Sequence, residues 1–475
     1  MIQFSYISAT LLALLIITGF AGCSAAFDNN QEAGPAGMPP GPGGMGNGQA
    51  PPDMPAGGAP SAGAPPGGPG GNSNTMYTLA GNFTVDGETV SESHSTFTSD
   101  TADLSAIYVT NKGSLTLTNP TISSSGNTSN NDASSFYGLN GAVLANNAST
   151  VVISGGSITT TGSGANGAIP TGEGTSISLE NLTITASGDG GHGVMATLSG
   201  ALTLTDVDIT TTGSHGAPLA TDRGSGTVTV TRGTIFSSGA DSPGIYSTGV
   251  INVTKATVKS VGTEAAVIEG FNSIHLINTT LSGGVEKTGG TMIYQSFSGD
   301  AETGTGVFTM DGGSYEPTAG PAFFVTNTDS VITLKNVNLI GTPDLLIKAA
   351  GTSRWGTEGK NGGIVIFTAD NEQLTGSLVT DAISSIAATL KNSSTLSGSI
   401  NTSALNLDET SSWNVTADST LTSLTDPDGI VDNTISNIFG NGFTVTYDKN
   451  LTTNNNLKGK TFTLKNGGTL TPKQA

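Results

Sequence analysis

Cysteine is almost absent from this 475-residue chain, which contains one. A single thiol excludes a disulfide scaffold and any multi-thiolate zinc or iron–sulfur centre. Basic side chains are also scarce: 16 Lys and Arg stand against 36 acidic residues, a formal charge of −20. Nucleic-acid binding needs a basic footprint, so that class is excluded. Charged residues make up 11%, under half of the roughly 25% usual in globular domains. Aromatics are 5%, with two tryptophans, so the interior must be aliphatic and β-branched. Beyond the first 22 residues no apolar run approaches the length of a membrane span.

What is present begins with an apolar leader centred on Leu11–Thr18 and closing with Gly19-Phe20-Ala21-Gly22-Cys23. About a dozen apolar residues cannot cross ~30 Å of hydrocarbon and read as a signal-peptide core. Small residues before a cysteine resemble the lipobox of bacterial lipoproteins. That resemblance implies cleavage after residue 22, lipidation of Cys23 and attachment to a membrane. An ordinary secretory leader with an incidental cysteine is the alternative. Residues 23–75 read as a tether: between Gly34 and Gly71 lie 11 prolines and 14 glycines, without a strict three-residue glycine period. Such composition cannot bury a core and is not collagen. Its reach is about 40 Å, enough to lift the remaining chain off a surface.

Residues 76–475 are built of Thr, Ser, Asn, Gly, Val, Ile and Leu, and they repeat. Ile177-Ser-Leu-Glu-Asn-Leu-Thr-Ile184, Leu202-Thr-Leu-Thr-Asp-Val-Asp-Ile209 and Val228-Thr-Val-Thr-Arg-Gly-Thr-Ile235 are three copies of one unit. The third residue of successive units gives anchors Ile153, Leu179, Leu204, Val230, Val253 and Leu276, spaced 26, 25, 26, 23 and 23 apart. Periods in the twenties mean stacked supersecondary units. Within each unit apolar residues alternate, bend at a Gly or Asn, and alternate again, with no helical spacing. Each unit is then one coil of short strands, stacked at about 4.8 Å per coil.

This layout resembles the right-handed parallel β-helix superfamily, the pectate-lyase-like solenoids. The resemblance implies an all-β, right-handed parallel β-helix of about 15 coils; it implies no particular function. Two coils exceed the period, with Gly299–Gly306 and Gly351–Gly363 as the inserted loops, the second measured from Leu334 to Ile366. After Leu390 the coils become short and irregular, as a capping end does. Solenoid insertions emerge on one face, often the binding face.

Counting seven residues back from the anchors gives Thr197, Arg223, Tyr246, Glu269 and Asn327, expected to stack in one column. Tyr294 and Gln295 join it once the first insertion is removed. Asp222 adjoins Arg223, and the second insertion supplies Arg354 and Trp355. Planar hydrogen-bonding groups beside an aromatic platform are what sugars require. The expected ligand strip is therefore Asp222, Arg223, Tyr246, Glu269, Tyr294, Gln295, Asn327, Arg354 and Trp355. The bland alternative is a polar turn column facing water.

For catalysis, glycoside hydrolysis calls for two nearby carboxylates, one with a raised pKa. Asp206 and Asp208 have suitable spacing, but Arg232 and Lys255 share the register of Asp206 and suggest an ion-pair ladder. Asp222 and Arg223 with Glu269 come nearest to a lyase-like set, without a recognisable lyase motif. His192 and His215 should stack on adjacent coils, and two ligands make a poor metal site. The Thr-x-Thr pairs that could order ice are interrupted by Val152, Glu180, Asn252, His275 and Ile277. No catalytic residue, cofactor or metal is expected. The expectation is a cell-envelope lipoprotein, exposed outside the cell or to the periplasm, whose β-helix binds a polysaccharide or another surface as adhesins do. The alternatives are a polysaccharide lyase or hydrolase acting on an acidic polymer, and a purely structural stalk.

Overall fold

A computed structural model describes residues 77–296 and 299–473. The leader, Cys23 and the Gly/Pro tether lie outside the described residues. Those described form a parallel β-helix, as the period requires: 42 strands belong to one continuous sheet. A representative coil runs through Ala201–Thr205, Asp208–Thr211 and Leu219–Asp222 before Thr227–Thr231 begins the next. Three strands per coil make three faces, here called first, second and third in that order.

The anchors pair as the spacing demands. Ile153 lies beside Leu179, Leu179 beside Leu204, Leu204 beside Val230, Val230 beside Val253 and Val253 beside Leu276. Each is essentially inaccessible to water. Strand side chains alternate across the sheet, so these aliphatics line the bore while Ser178, Thr203 and Thr229 point outward. Burying one such side chain contributes about 1.5–3 kcal/mol, and stacking repeats it at every coil. The bend between first and second faces holds one residue in the left-handed region in coil after coil: Asn119, Asn181, Asp206, Arg232, Lys255 and Asn278, with φ between 48° and 62°. Asn and Asp tolerate this region best among residues with a Cβ, which explains the Asn or Asp at four of these six bends.

The third face is buried on both sides. Its inner residues Leu219, Ile245, Ala266 and Ile293 join the main core. Outward-pointing Met195, Ala220, Tyr246, Val267, Met292 and Phe324 form a second core. Three insertions lie against this side. One is a helix, Asn131–Tyr137, capped by Asn130, whose Oδ1 accepts the Ala133 N–H at 2.9 Å, and closed by left-handed Gly138. At seven residues, about two turns, it is too short to show a helical period and leaves the fold all-β. The other insertions contribute residues 295–296 with 299–304, and residues 350–362.

The second of these corrects an anchor. Leu334 pairs with Ala369, not Ile366, and Ile366 faces outward at 54% exposure. The strand Gly363–Asp370 alternates two apolar series, and only burial separates them. Beyond Leu390 the coils shorten, Leu390 pairing with Leu407. The C-terminal end is closed by the short helix Thr452–Leu457 and by antiparallel pairing of Phe462–Lys465 with Thr469–Pro472.

Candidate functional site

The flank where the third face turns into the first collects the predicted strip, though not in one column. Thr197 pairs with Asp222, Ala220 with Tyr246, Tyr246 with Val267, and Glu269 with Tyr294 and then Thr326 through Tyr294. Tyr246 and Glu269 therefore occupy neighbouring columns two residues apart. The reason is the bend that follows the third face. From Ala220, Tyr246 and Val267 to the anchors Val230, Val253 and Leu276 the separations are ten, seven and nine residues. A fixed offset of seven cannot hold across a bend of changing length.

The two columns meet through side chains. Glu269 is buried, and its Oε2 accepts from the Tyr246 hydroxyl at 2.7 Å and the Tyr294 hydroxyl at 2.9 Å. Its Oε1 accepts from both the backbone N–H and the hydroxyl of Ser296, the first residue past Gln295 in the insertion. Burial raises the Glu269 pKa while these hydrogen bonds oppose the rise, and burial pushes both tyrosines well above their ordinary value. Tyr294 packs on Trp355 with ring centroids 5.0 Å apart, and the Arg354 guanidinium lies 4.8 Å from the Trp355 ring centre. Asn327, in the left-handed region, donates to the Gln295 carbonyl at 2.7 Å, and Asn361 donates to that of Trp355 at 2.6 Å. The Gln295 amide turns back to Ser296 and Ala301 within its own loop. So Tyr246, Glu269, Tyr294, Gln295, Asn327 and Trp355 are brought together, chiefly to hold two insertions down on the second core.

Asp222 and Arg223 stand at the edge of this network. The Arg223 guanidinium pairs with Asp300 at 3.0 Å and lies over Phe136, 3.7 Å from the ring centre. Asp222 accepts the backbone N–H of Arg223 at 2.8 Å. Burial, then the Asp300 and Glu269 carboxylates, hold Asp222 well above the usual carboxylate range. Beside Arg223 opens a cavity of about 480 Å³, walled by Tyr137, Leu198, Phe271, Asn272, Asp300 and Glu302 among others. Phe271 is 63% exposed. Two of its walls come from the helix and the 299–302 segment, so insertions build it.

Sequence reasoning passed over Phe271 and the Phe136-Tyr137 pair. Phe271 carried a signal: the equivalent bends read Leu198-Ser-Gly200 and Gly224-Ser-Gly226, and a bulky aromatic replaces small residues there. Phe136 carried none, because no spacing connects residue 136 to residue 223. Elsewhere, Arg232 grips Asp206 through two hydrogen bonds of 2.6 Å on the exposed bend, the expected ladder. His192 is buried, and burial pushes its imidazole down to about 4, whereas His215 is partly exposed, 3.8 Å from Asp241. Among the described residues no three His, Cys, Asp or Glu are grouped to hold a metal ion. Comparison with protein-family models, curated proteins and solved structures returned no match.

Proposed function

We propose that this chain is a lipid-anchored cell-envelope protein whose β-helix, adhesin-like and similar to the pectate-lyase-like solenoids, binds glycan at the cavity beside Arg223. On this reading Cys23 carries the lipid and residues 23–75 space the solenoid from the membrane. The observation that carries it is Phe271, an aromatic ring 63% exposed at the wall of a cavity of about 480 Å³ that mixes polar and apolar groups. An exposed aromatic face flanked by Asn272, Arg223 and two carboxylates offers a sugar both its apolar platform and its hydrogen-bond partners. The charge balance selects the sugar class. Arg223 is matched by Asp300, and Glu302 adds a further negative charge at the rim. With −20 on the chain, an uncharged or amine-bearing glycan fits better than a polyuronate.

The test is glycan-array binding by the full chain. Phe271→Ala should reduce signal at least tenfold while leaving the thermal midpoint unchanged, and neutral glycans should exceed uronic-acid polymers. Absence of binding to every glycan would remove the reading. Incorporation of a fatty-acid probe tests the anchor, and a Cys23→Ala variant that still labels would refute it.

A hydrolase is the second reading, favoured by Asp222. Burial and the Asp300 carboxylate raise the Asp222 pKa, and a carboxyl so raised near a second carboxylate is the pairing that glycosidic cleavage uses. Asp222 itself lies beneath Arg223 rather than in the cavity wall, so substrate would have to displace that guanidinium. New reducing ends from neutral or acidic polysaccharides, lost in Asp222→Asn, would support it. A flat response across such a panel would dismiss it.

A further inference from the structure

A different surface has no part in that cavity. On the first face, the outward side chains of five successive coils form two adjoining columns. Val307, Val331, Ile366, Ala387 and Ala404 are consecutive partners in one, and Thr309, Thr333, Thr368, Thr389 and Asn406 in the other. Ile366 is 54% exposed, and Ile364 on the same strand 49%. Four coil-to-coil steps make this strip about 19 Å long. Exposed apolar area continuous over several coils marks an interaction surface.

The border of the strip identifies the partner. The next column reads Asp311, Lys335, Asp370, Lys391 over the first four of these coils, again in register, and Asp408 follows on the fifth. Lys335 reaches Asp311 at 2.9 Å and Lys391 reaches Asp370 at 3.2 Å. Four charges alternating in sign are complementary to the same four read backwards. A twofold axis lying along the strand direction reverses the order of coils and keeps each side chain's position along its strand. Asp311 then faces the partner's Lys391, and Lys335 faces the partner's Asp370. Over these four coils the same operation lays Val307 on the partner's Ala387, Val331 on the partner's Ile366 and the Thr column on the Thr column, with Ala404 and Asp408 beyond the overlap. It is the self-matching contact that closed twofold dimers require. A twofold along the solenoid axis would instead reverse the strands and leave the charges facing the opposite border.

We propose that two copies of this chain pack first face to first face through Val307–Ala387, with their coils running in opposite directions. The N-terminal coils of the pair then point away from each other. That is the geometry for joining two chains carried on facing surfaces, so the contact is homophilic.

The experiment is sedimentation equilibrium of the full chain in density-matched detergent. Wild type should sediment with dimer mass, and an Ile364→Asp/Ile366→Asp variant as a monomer with an unchanged circular-dichroism spectrum. Lys335→Glu/Lys391→Glu makes these four positions wholly acidic, and Asp311→Lys/Asp370→Lys makes them wholly basic. Each should be monomeric alone, and an equimolar mixture should recover the dimer mass. A wild-type monomer at the highest soluble concentration overturns the proposal, including the case where Ile366→Asp abolishes glycan retention instead. A mixture that stays monomeric, or charge variants that dimerise alone, overturns the reversed pairing. None of these substitutions touches the cavity beside Arg223, so glycan binding is read independently.

Discussion

Replacing Glu269 by alanine tests the physical basis of the covered flank. The carboxylate is the shared acceptor for Tyr246, Tyr294 and Ser296. Both tyrosines are buried, at 7% and 6% exposure, so their hydroxyls lose an acceptor that water cannot readily replace. An unsatisfied buried hydroxyl costs about 1–3 kcal/mol, and two together with the lost methylenes give about 5 kcal/mol. Relief from burying a carboxyl whose pKa is raised returns part of this. The net expectation is a loss of about 3 kcal/mol, read as a shift in the urea midpoint. Residues 299–304 should also become more sensitive to protease, because the contacts of Ser296 to the Glu269 carboxylate are lost. The control is Tyr246→Phe/Tyr294→Phe/Glu269→Met, which removes donors and acceptor together. It should lie within about 1.5 kcal/mol of wild type, since volume-conserving apolar replacement is tolerated. A Glu269→Ala loss below about 1 kcal/mol, or a triple variant destabilised as much as the single one, would refute the reasoning.

Glu372 is fully buried, with Oε1 accepting the Val337 N–H at 2.8 Å and Oε2 unpaired, and burial raises its pKa to about 7. Its folded pKa exceeds its unfolded one, so the folded state holds the proton more tightly. Stability should fall by about 1–2 kcal/mol as pH rises from about 4.5 to 7, and Glu372→Gln should flatten that part of the urea-midpoint profile. Trp413 is wholly buried and donates to the Gly398 carbonyl at 2.8 Å. Trp413→Ala should cost about 4 kcal/mol in chemical denaturation, and a cost under 1.5 would show that this end is not cooperatively packed. At the left-handed bend, Asn181→Val should cost about 1–2 kcal/mol and Asn181→Gly almost nothing. Equal losses for the two would locate the role of Asn181 in its side chain instead.

The coil was legible in the sequence because it depends on local alternation repeated at a near-constant interval. Ile153, Leu179, Leu204, Val230, Val253 and Leu276 needed only counting, since equal steps along the chain become vertical neighbours. The same logic misplaced Ile366, where two apolar series share one strand and only burial distinguishes them. It also merged Tyr246 with Glu269, because bend length varies from coil to coil and an offset carried across a bend loses register.

Which residues converge on the flank was still partly readable from the insertions, where the period fails. What they do there was not. Tyr246, Tyr294 and Glu269 read as an open ligand strip, and folding buried them against each other beneath residues 299–304 and 350–362. The pairing of Arg223 with Asp300 and Phe136 joins positions separated by 77 and 87 residues. The sequence by itself determined the repeating coil, its Asn bends and its aliphatic bore, because near-neighbour sterics and period-two burial suffice for them. Only the tertiary structure decided which polar groups meet, because that depends on how three insertions, each outside the repeat, settle against one side of the solenoid.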